Sequence, residues 1–209
     1  MPNIYRLVGL IMAENLTKKQ RQSQIMEAAM RVFTQKGFAN ARMDDIVEES
    51  GLSKGAIYHY YHGKKDIFLA LIEHWETQTF PNFYSKNAKE RTAGDTLRDF
   101  SKEIIKVFKN RSYVFHAEVE FWSLSNQDDE VRKRSQELYE KIINLFELVI
   151  NKGIREKEFM NVDSRISAIY ILSVFQGINW FCIFKDSKNN AEKYIKESIE
   201  MIISGLKIT

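Results

Sequence analysis

Very little in this sequence resists a helix. The 209 residues include only two prolines, Pro2 and Pro81, and nine glycines, so helix breakers are scarce along almost the whole chain. Apolar and polar residues rarely alternate between turn signals, which leaves no good candidate for a strand. One cysteine, Cys182, excludes a disulfide within the chain and fits a reducing compartment. It lies in the apolar run INWFCIF, where a buried, unreactive thiol is expected. Phosphate-loop and dinucleotide glycine patterns are absent, and no turn marks a nucleophile. An enzyme is therefore not expected.

Metal and membrane signals are missing as well. His59 and His62 are three apart but have no cysteine or suitably spaced carboxylate on their face. His116, Glu118 and Glu120 alternate by two, which places neighbours on different sides of a helix. No metal and no cofactor are expected. Residues 4–12 are apolar but interrupted by Arg6, too short to span a bilayer, and followed by no cleavage signal. Residues 1–17 are expected to form a flexible N-terminal extension, with no membrane partner and a cytoplasmic, nucleoid-associated location. The formal net charge of +3 is mild, so contact with a polyanion would have to come from local placement of cations.

What remains is helical periodicity, and the fold class expected is all-α. Helices are predicted over 18–36, 43–50, 54–61, 64–79, 93–109, 111–125, 128–156, 164–184 and 191–205. In the first, Ile25, Ala28, Ala29, Val32 and Phe33 form one stripe, and Gly37 suits the position just past its end. Ser53 is a good N-cap for the third, and Thr92 with Asp95 has capping-box spacing. In the fourth, Ile67, Phe68, Leu71, Ile72 and Trp75 share a face, and the helix stops at Pro81. The polar, aperiodic stretch 82–95 reads as a boundary between an N-terminal module at 18–80 and a C-terminal one at 81–209.

Residues 51–68, GLSKGAIYHYYHGKKDIF, concentrate chemistry. Two short helices joined by a tight glycine-containing turn make a helix-turn-helix, here 42–61, with Gly51 supplying the left-handed turn residue. At about 100° per residue, Ile57, Tyr60 and Tyr61 fall on one arc and Gly55, Tyr58 and His59 on the opposite one. The first group should be core. The second, with Lys54 at the helix start, presents donors beside a residue lacking a side chain, a surface a duplex groove accepts. Lys64, at the start of the next helix, adds charge to a helix N-terminus suited to a phosphate.

These residues carry a resemblance. The run IMEAAMRVFTQKGFANARMDDIVEESGLSKGAIYHYYHGKKDIFLALI resembles the DNA-binding domain of the TetR family of bacterial transcriptional regulators. The likeness covers 19–79; beyond it only the helical layout is similar. It implies double-stranded operator DNA as a partner and a recognition helix at 54–61. Arg42, Ser53, Lys54, Gly55, Ala56, Tyr58, His59 and Lys64 then become the DNA-binding residues. Two positions depart from the family pattern: Arg42 stands where a Ser or Thr cap is usual, and Val47 where a small residue is.

The C-terminal module is rich in large aromatics. Most must be core, yet those set among His116, Glu118, Gln176 and Asn179 could line a cavity for an apolar or cationic small molecule. The candidates are Phe108, Phe115, His116, Phe121, Trp122, Tyr139, Phe146, Phe175, Gln176 and Asn179. The predicted helix 164–184 is apolar almost all round, which implies burial on two sides. The resemblance implies an effector pocket here and a homodimer through the last two helices, with Ile171, Phe175, Ile178, Phe181, Ile195, Ile199 and Ile202 as candidate contacts. It also implies repression from a pseudo-palindromic operator, relieved by a small effector. The competing readings are an all-α small-molecule-binding protein or enzyme in which 42–61 only packs, and a DNA-binding adaptor without an effector.

Overall fold

The computed structural model describes residues 18–79, 91–184 and 188–208. The expected extension at 1–17, most of the expected boundary segment, and the side chains of Ile72 and Trp75 lie outside what is described. Among the described residues the protein is helical apart from one isolated bridge between Phe159 and Lys207. The chain divides into two compact units between Ala70 and Leu71.

The first unit holds α1 (Lys18–Asn40), α2 (Met43–Ser50), α3 (Lys54–Tyr58) and the start of α4 (Lys64–Thr79). The predicted stripe of α1 is buried as expected, and Gly37 kinks the helix at φ 72°. Beyond the kink, Phe38 closes an aromatic triangle with Phe33 and Phe68, with ring centroids 4.8–5.6 Å apart. Arg42 offers no acceptor for capping α2. Asp45 compensates from inside the helix, accepting a 2.8 Å hydrogen bond from the Arg42 N–H. Lys36 lies 2.7 Å from the same carboxylate and holds it below its ordinary pKa, helped by the Arg42 backbone bond.

The second unit is a bundle of α5 (Ala93–Arg111), α6 (Tyr113–Ser125), α7 (Asp129–Arg155), α8 (Ser164–Gln176), α9 (Asn179–Ile183) and α10 (Lys188–Leu206). Thr92 caps α5 by accepting from Asp95 N. Glu158, from the loop after α7, accepts from the Ala93 and Gly94 N–H groups at 2.7 and 2.9 Å and so satisfies two orphan donors of that helix end. Phe100, Phe146 and Phe175 join α5, α7 and α8 through ring contacts of 4.7–5.8 Å. Arg98 of α5 forms a forked pair with Glu200 of α10 at 2.6 and 2.8 Å.

The single helix predicted over 164–184 is two. Tyr194 of α10 donates its hydroxyl to Val174 O at 2.8 Å, competing with the bond that an unbroken helix would make from Ile178 N. Ile178 N turns instead to Phe175 O, and Trp180 N to Gly177 O, a tightened turn of three-residue bonds. The whole run 164–183 is apolar and long enough, by composition alone, to cross a membrane. In the fold its apolar residues divide between core (Ala168, Ile171, Leu172, Phe175, Ile178, Cys182) and surface (Ile166, Ile169, Tyr170, Trp180, Ile183).

Candidate functional site

In the first unit the site is built on the turn between α2 and α3. Gly51 adopts φ 67° and its N–H reaches back to Val47 O and Glu48 O. Gln24 of α1 donates to Ser50 O at 2.9 Å, and the Ser50 hydroxyl accepts from Leu52 N, which pins the turn to α1. Ser53 then opens α3 by accepting from Ala56 N at 3.2 Å.

This scaffold sorts the side chains of α3. Ile57 and Tyr61 are buried, Tyr60 is half-buried, and Ser53, Lys54, Gly55, Tyr58 and His59 are exposed, with Ala56 partly so. The helix is shorter than predicted: Tyr60 N and Tyr61 N both bond Ile57 O, turning the chain after Tyr58. No atom lies within 4 Å of where a Cβ would stand on Gly55, so the backbone there is open to close approach. Arg42 is exposed. Lys54 is paired with Asp44 at 2.7 Å, both side chains more than half exposed. That hydrogen bond raises the lysine's pKa.

Lys64 is a correction. Its ammonium donates to Phe38 O, Ala39 O and Ala41 O at 2.7, 2.9 and 3.0 Å and sits 4.7 Å from the centre of the Phe38 ring. An ammonium has three N–H groups, and all three are engaged. Asp66 also places a carboxylate in the first turn of α4, accepting from His62 N at 2.9 Å. Lys64 therefore caps the end of α1 rather than offering a free charge to a phosphate.

In the second unit a narrow cavity lies between α5, α6, α7 and α8. Phe100, Ile104, Phe115, Ile142, Leu172 and Phe175 form its apolar wall, and Glu118 and Gln176 its polar edge. It leaves about 20 Å³ for the centre of a water-sized sphere. Of the predicted pocket residues, Phe115, Phe175 and Gln176 line it. Phe108, Phe121 and Phe146 are buried in the surrounding core, and His116 is half-buried.

Glu118 organises this site, although sequence reasoning placed it only among possible polar neighbours. It is 5% exposed. Its Oε1 accepts from the Tyr139 hydroxyl at 3.1 Å and Gln176 Nε2 at 3.2 Å, and its Oε2 from Asn179 Nδ2 at 3.0 Å. Trp122 extends the chain by donating its indole N–H to Tyr139 Oη. Three predicted pocket residues thus converge on one carboxylate, and a fourth, Trp122, reaches it through Tyr139. Burial pushes the Glu118 pKa up, against the pull of its three donors. Burial likewise raises that of Tyr139, reinforced by the carboxylate beside it. Two apart in sequence, His116 and Glu118 gave no helical cluster, and no group able to hold a metal occurs among the described residues.

The predicted dimer contacts need correcting too. Ile171, Phe175, Ile178, Ile195, Ile199 and Ile202 are all buried within a single chain. Phe181 is half-buried with its ring 5.3 Å from that of Tyr194. These residues make the unit's own core. The apolar side chains left on the surface are others: Ile166 at 62% exposure, Tyr170 at 59%, Trp180 at 60%, Phe184 at 71% and Met201 at 75%, with Ile169 alongside.

An exposed short helix held by a capped glycine turn on a three-helix scaffold, followed by a separate helical unit with its own cavity, defines a helix-turn-helix DNA-binding regulator. Residues 25–71 match the family described as bacterial regulatory proteins, tetR family. The HTH-type transcriptional regulator YfiR of Bacillus subtilis (strain 168) is 25% identical over 188 residues, covering 89% of this chain and 91% of the relative. Bacillus subtilis FadR, solved with stearoyl-CoA, aligns with a TM-score of 0.76 at 20% identity, over 88% of this chain and 98% of that one. A transcriptional regulator of Saccharomonospora viridis, solved with choline, gives 0.73 at 18% identity over 88% of this chain and 97% of that one. At these identities the solved structures establish the fold. With the N-terminal match to the tetR family and the similarity to HTH-type transcriptional regulators along most of its length, the chain is a DNA-binding transcriptional regulator.

Proposed function

We propose that this protein is a homodimeric cytoplasmic repressor that leaves a pseudo-palindromic operator when a small effector enters its C-terminal unit. The observation that carries the reading is the split face of α3: Ile57 and Tyr61 are locked inside while Lys54, Gly55, Tyr58 and His59 face out. Tyr58 and His59 contact phosphates. Lys54, Gly55 and Ala56 approach base edges, and Arg42 and Ser53 flank them on the backbone. Lys64 acts one step back, by fixing the end of α1.

The dimer forms on the apolar residues that the single chain leaves uncovered, Ile166, Ile169, Tyr170, Trp180 and Met201 on α8, α9 and α10. Two-fold symmetry then sets the two reading helices about one DNA turn or a multiple apart. The effector occupies the cavity beside Glu118. The complexes with stearoyl-CoA and choline in similar folds support a small-molecule occupant. Because α4 runs through the division between the units, an occupant that favours one arrangement of this helix changes the spacing of the reading heads.

The test is selection of bound fragments from the source genome, followed by salt titration on the selected site. A two-fold symmetric site, a steep salt slope and loss of binding in Tyr58→Ala with the fold intact are the expected results. Equal binding to unrelated duplexes, or an unaffected Tyr58→Ala variant, would overturn the reading.

A further inference from the structure

The cavity of the second unit is apolar on every wall except where Glu118 and Gln176 meet it. The geometry around Glu118 is that of an ionised carboxylate: three donors converge on its two oxygens, from Tyr139, Gln176 and Asn179. All three donors are neutral. Among the described residues no lysine, arginine or histidine pairs with it. A buried carboxylate without a cation is held at a cost that a protonated or apolar residue would avoid.

Asn179 adds a second observation. It is 2% exposed, and with its Nδ2 given to Glu118 its Oδ1 has no hydrogen-bond partner. Were Glu118 built to stay protonated, the Asn179 amide could turn over and accept that proton, satisfying both groups. The arrangement present instead leaves a buried carboxylate that has no cation beside a buried acceptor that has no donor. Aromatic rings of Phe100, Phe115 and Phe175 line the same cavity as this carboxylate, as surfaces that favour a cation on an apolar body.

We propose that Glu118 recognises the effector, and that the effector is a small organic cation with N–H groups on an aromatic or aliphatic body, a protonated amine. The ammonium donates to the Glu118 carboxylate, Asn179 Oδ1 is the neighbouring acceptor, and the body displaces the packing of Phe115 and Phe175. This assignment rests on the effector reading above and deepens it. It also separates this cavity from one made for an acyl-CoA, whose anionic groups would meet an uncompensated carboxylate. The space present is about that of one water, so the bound form is a more open packing of α5, α6, α7 and α8. An amine therefore binds the two packings unequally, which is what coupling to the operator demands.

A matched series on one body tests this with the full chain: 2-(1-naphthyl)ethylammonium, its trimethylammonium analogue, the corresponding alcohol and the corresponding carboxylate. Calorimetry is run on the wild type and Glu118→Gln, with stearoyl-CoA and a broad compound library as further arms. The ammonium is expected to bind at least about tenfold tighter than the alcohol or the carboxylate, with the trimethylammonium between. Glu118→Gln, which keeps size and fold, is expected to erase that preference. Equal ammonium binding by the variant, tighter binding of the carboxylate or of stearoyl-CoA, or no binding of the ammonium each overturns the assignment. If a library compound releases the operator while the ammonium does not bind, the assignment falls alone; if no compound binds at all, the effector reading falls with it.

Discussion

The Lys54 ammonium lies 2.7 Å from the Asp44 carboxylate, so the reading helix carries its most prominent cation already matched to an anion of its own. Exposed pairs of this kind contribute little to stability, and a DNA phosphate can replace the partner. The carboxylate remains nearby when it does, and repels the same phosphate. Asp44→Asn is therefore expected to tighten operator binding by about threefold at low salt and to steepen its salt dependence. Fluorescence anisotropy at several salt concentrations checks both. Weaker binding would show that Asp44 positions Lys54 rather than competing for it.

Lys64 predicts a different pattern. Its three bonds hold the carbonyls of Phe38, Ala39 and Ala41, the loose end of α1 beyond the Gly37 kink. Lys64→Met keeps the apolar stem beside Phe38 and removes those bonds, with an expected loss of about 2–3 kcal/mol measured by denaturant unfolding. The slope of log Kd against log salt on operator DNA should not change, because no phosphate contact is removed. A slope smaller by about one would restore Lys64 to the phosphate contacts.

Much of the first unit could be read from sequence because its signals are local. Ser53 caps within its own turn, Gly51 turns its own residue, and the opposed arcs of α3 need only the helical repeat. The misreadings share a cause: the deciding partner is far away along the chain. Lys64 at a helix start looks like an anion site until carbonyls 23–26 residues earlier are seen beside it. Helix 164–184 looks continuous until the Tyr194 hydroxyl takes the Val174 carbonyl. Glu118 gathers its donors from α7, α8 and α9, none of them at helical spacing from it. The dimer candidates failed for another reason, since Ile195 or Ile199 has the same apolarity whether it faces its own core or a second chain.

Gly153 and Gly205 are expected to respond oppositely to the same change. A Cβ on Gly153 would stand 2.2 Å from Phe159 Cδ2, and Phe159 is 1% exposed, so the ring has nowhere to go. Gly153→Ala should cost about 2–3 kcal/mol by overpacking. Nothing lies within 4 Å of a Cβ on Gly205, in the last turn of α10, so Gly205→Ala should be neutral or stabilise by up to about 1 kcal/mol. Thermal unfolding of the two variants side by side reads the contrast.

Cys182 is expected to be inert at neutral pH. It is 6% exposed, and burial pushes its thiol up to about 11 from an ordinary value of 9.0. Near pH 8 only about one molecule in a thousand would carry the thiolate, the reactive form. Alkylation by iodoacetamide should run at least about tenfold slower than in the urea-unfolded chain, at matched pH. The sign for stability follows: the contribution is complete below 9.0 and is lost as pH rises toward 11. Rapid labelling of the folded protein at pH 8 would contradict this burial.

The same linkage gives Glu118 its clearest signature without any ligand. Burial raises its folded pKa above the ordinary 4.5, so the folded state favours the protonated form more than the unfolded chain does. Below 4.5 both states are protonated and the stability linked to this group is complete. As pH rises through the folded pKa, that stability is lost, because ionisation must occur in a dry, cation-free setting. Glu118→Gln cannot ionise, and an amide turn at Asn179 lets its unpaired Oδ1 accept from the new carboxamide. The variant should therefore match the wild type in acid and exceed it near neutrality, by about 1 kcal/mol or more, which shifts Tm upward by a few degrees. Unfolding measured from pH 4 to 8 traces the divergence. Parallel curves for the two proteins would mean that the Glu118 carboxyl titrates alike in the folded and the unfolded chain, and its burial would then carry no penalty for a cation to relieve.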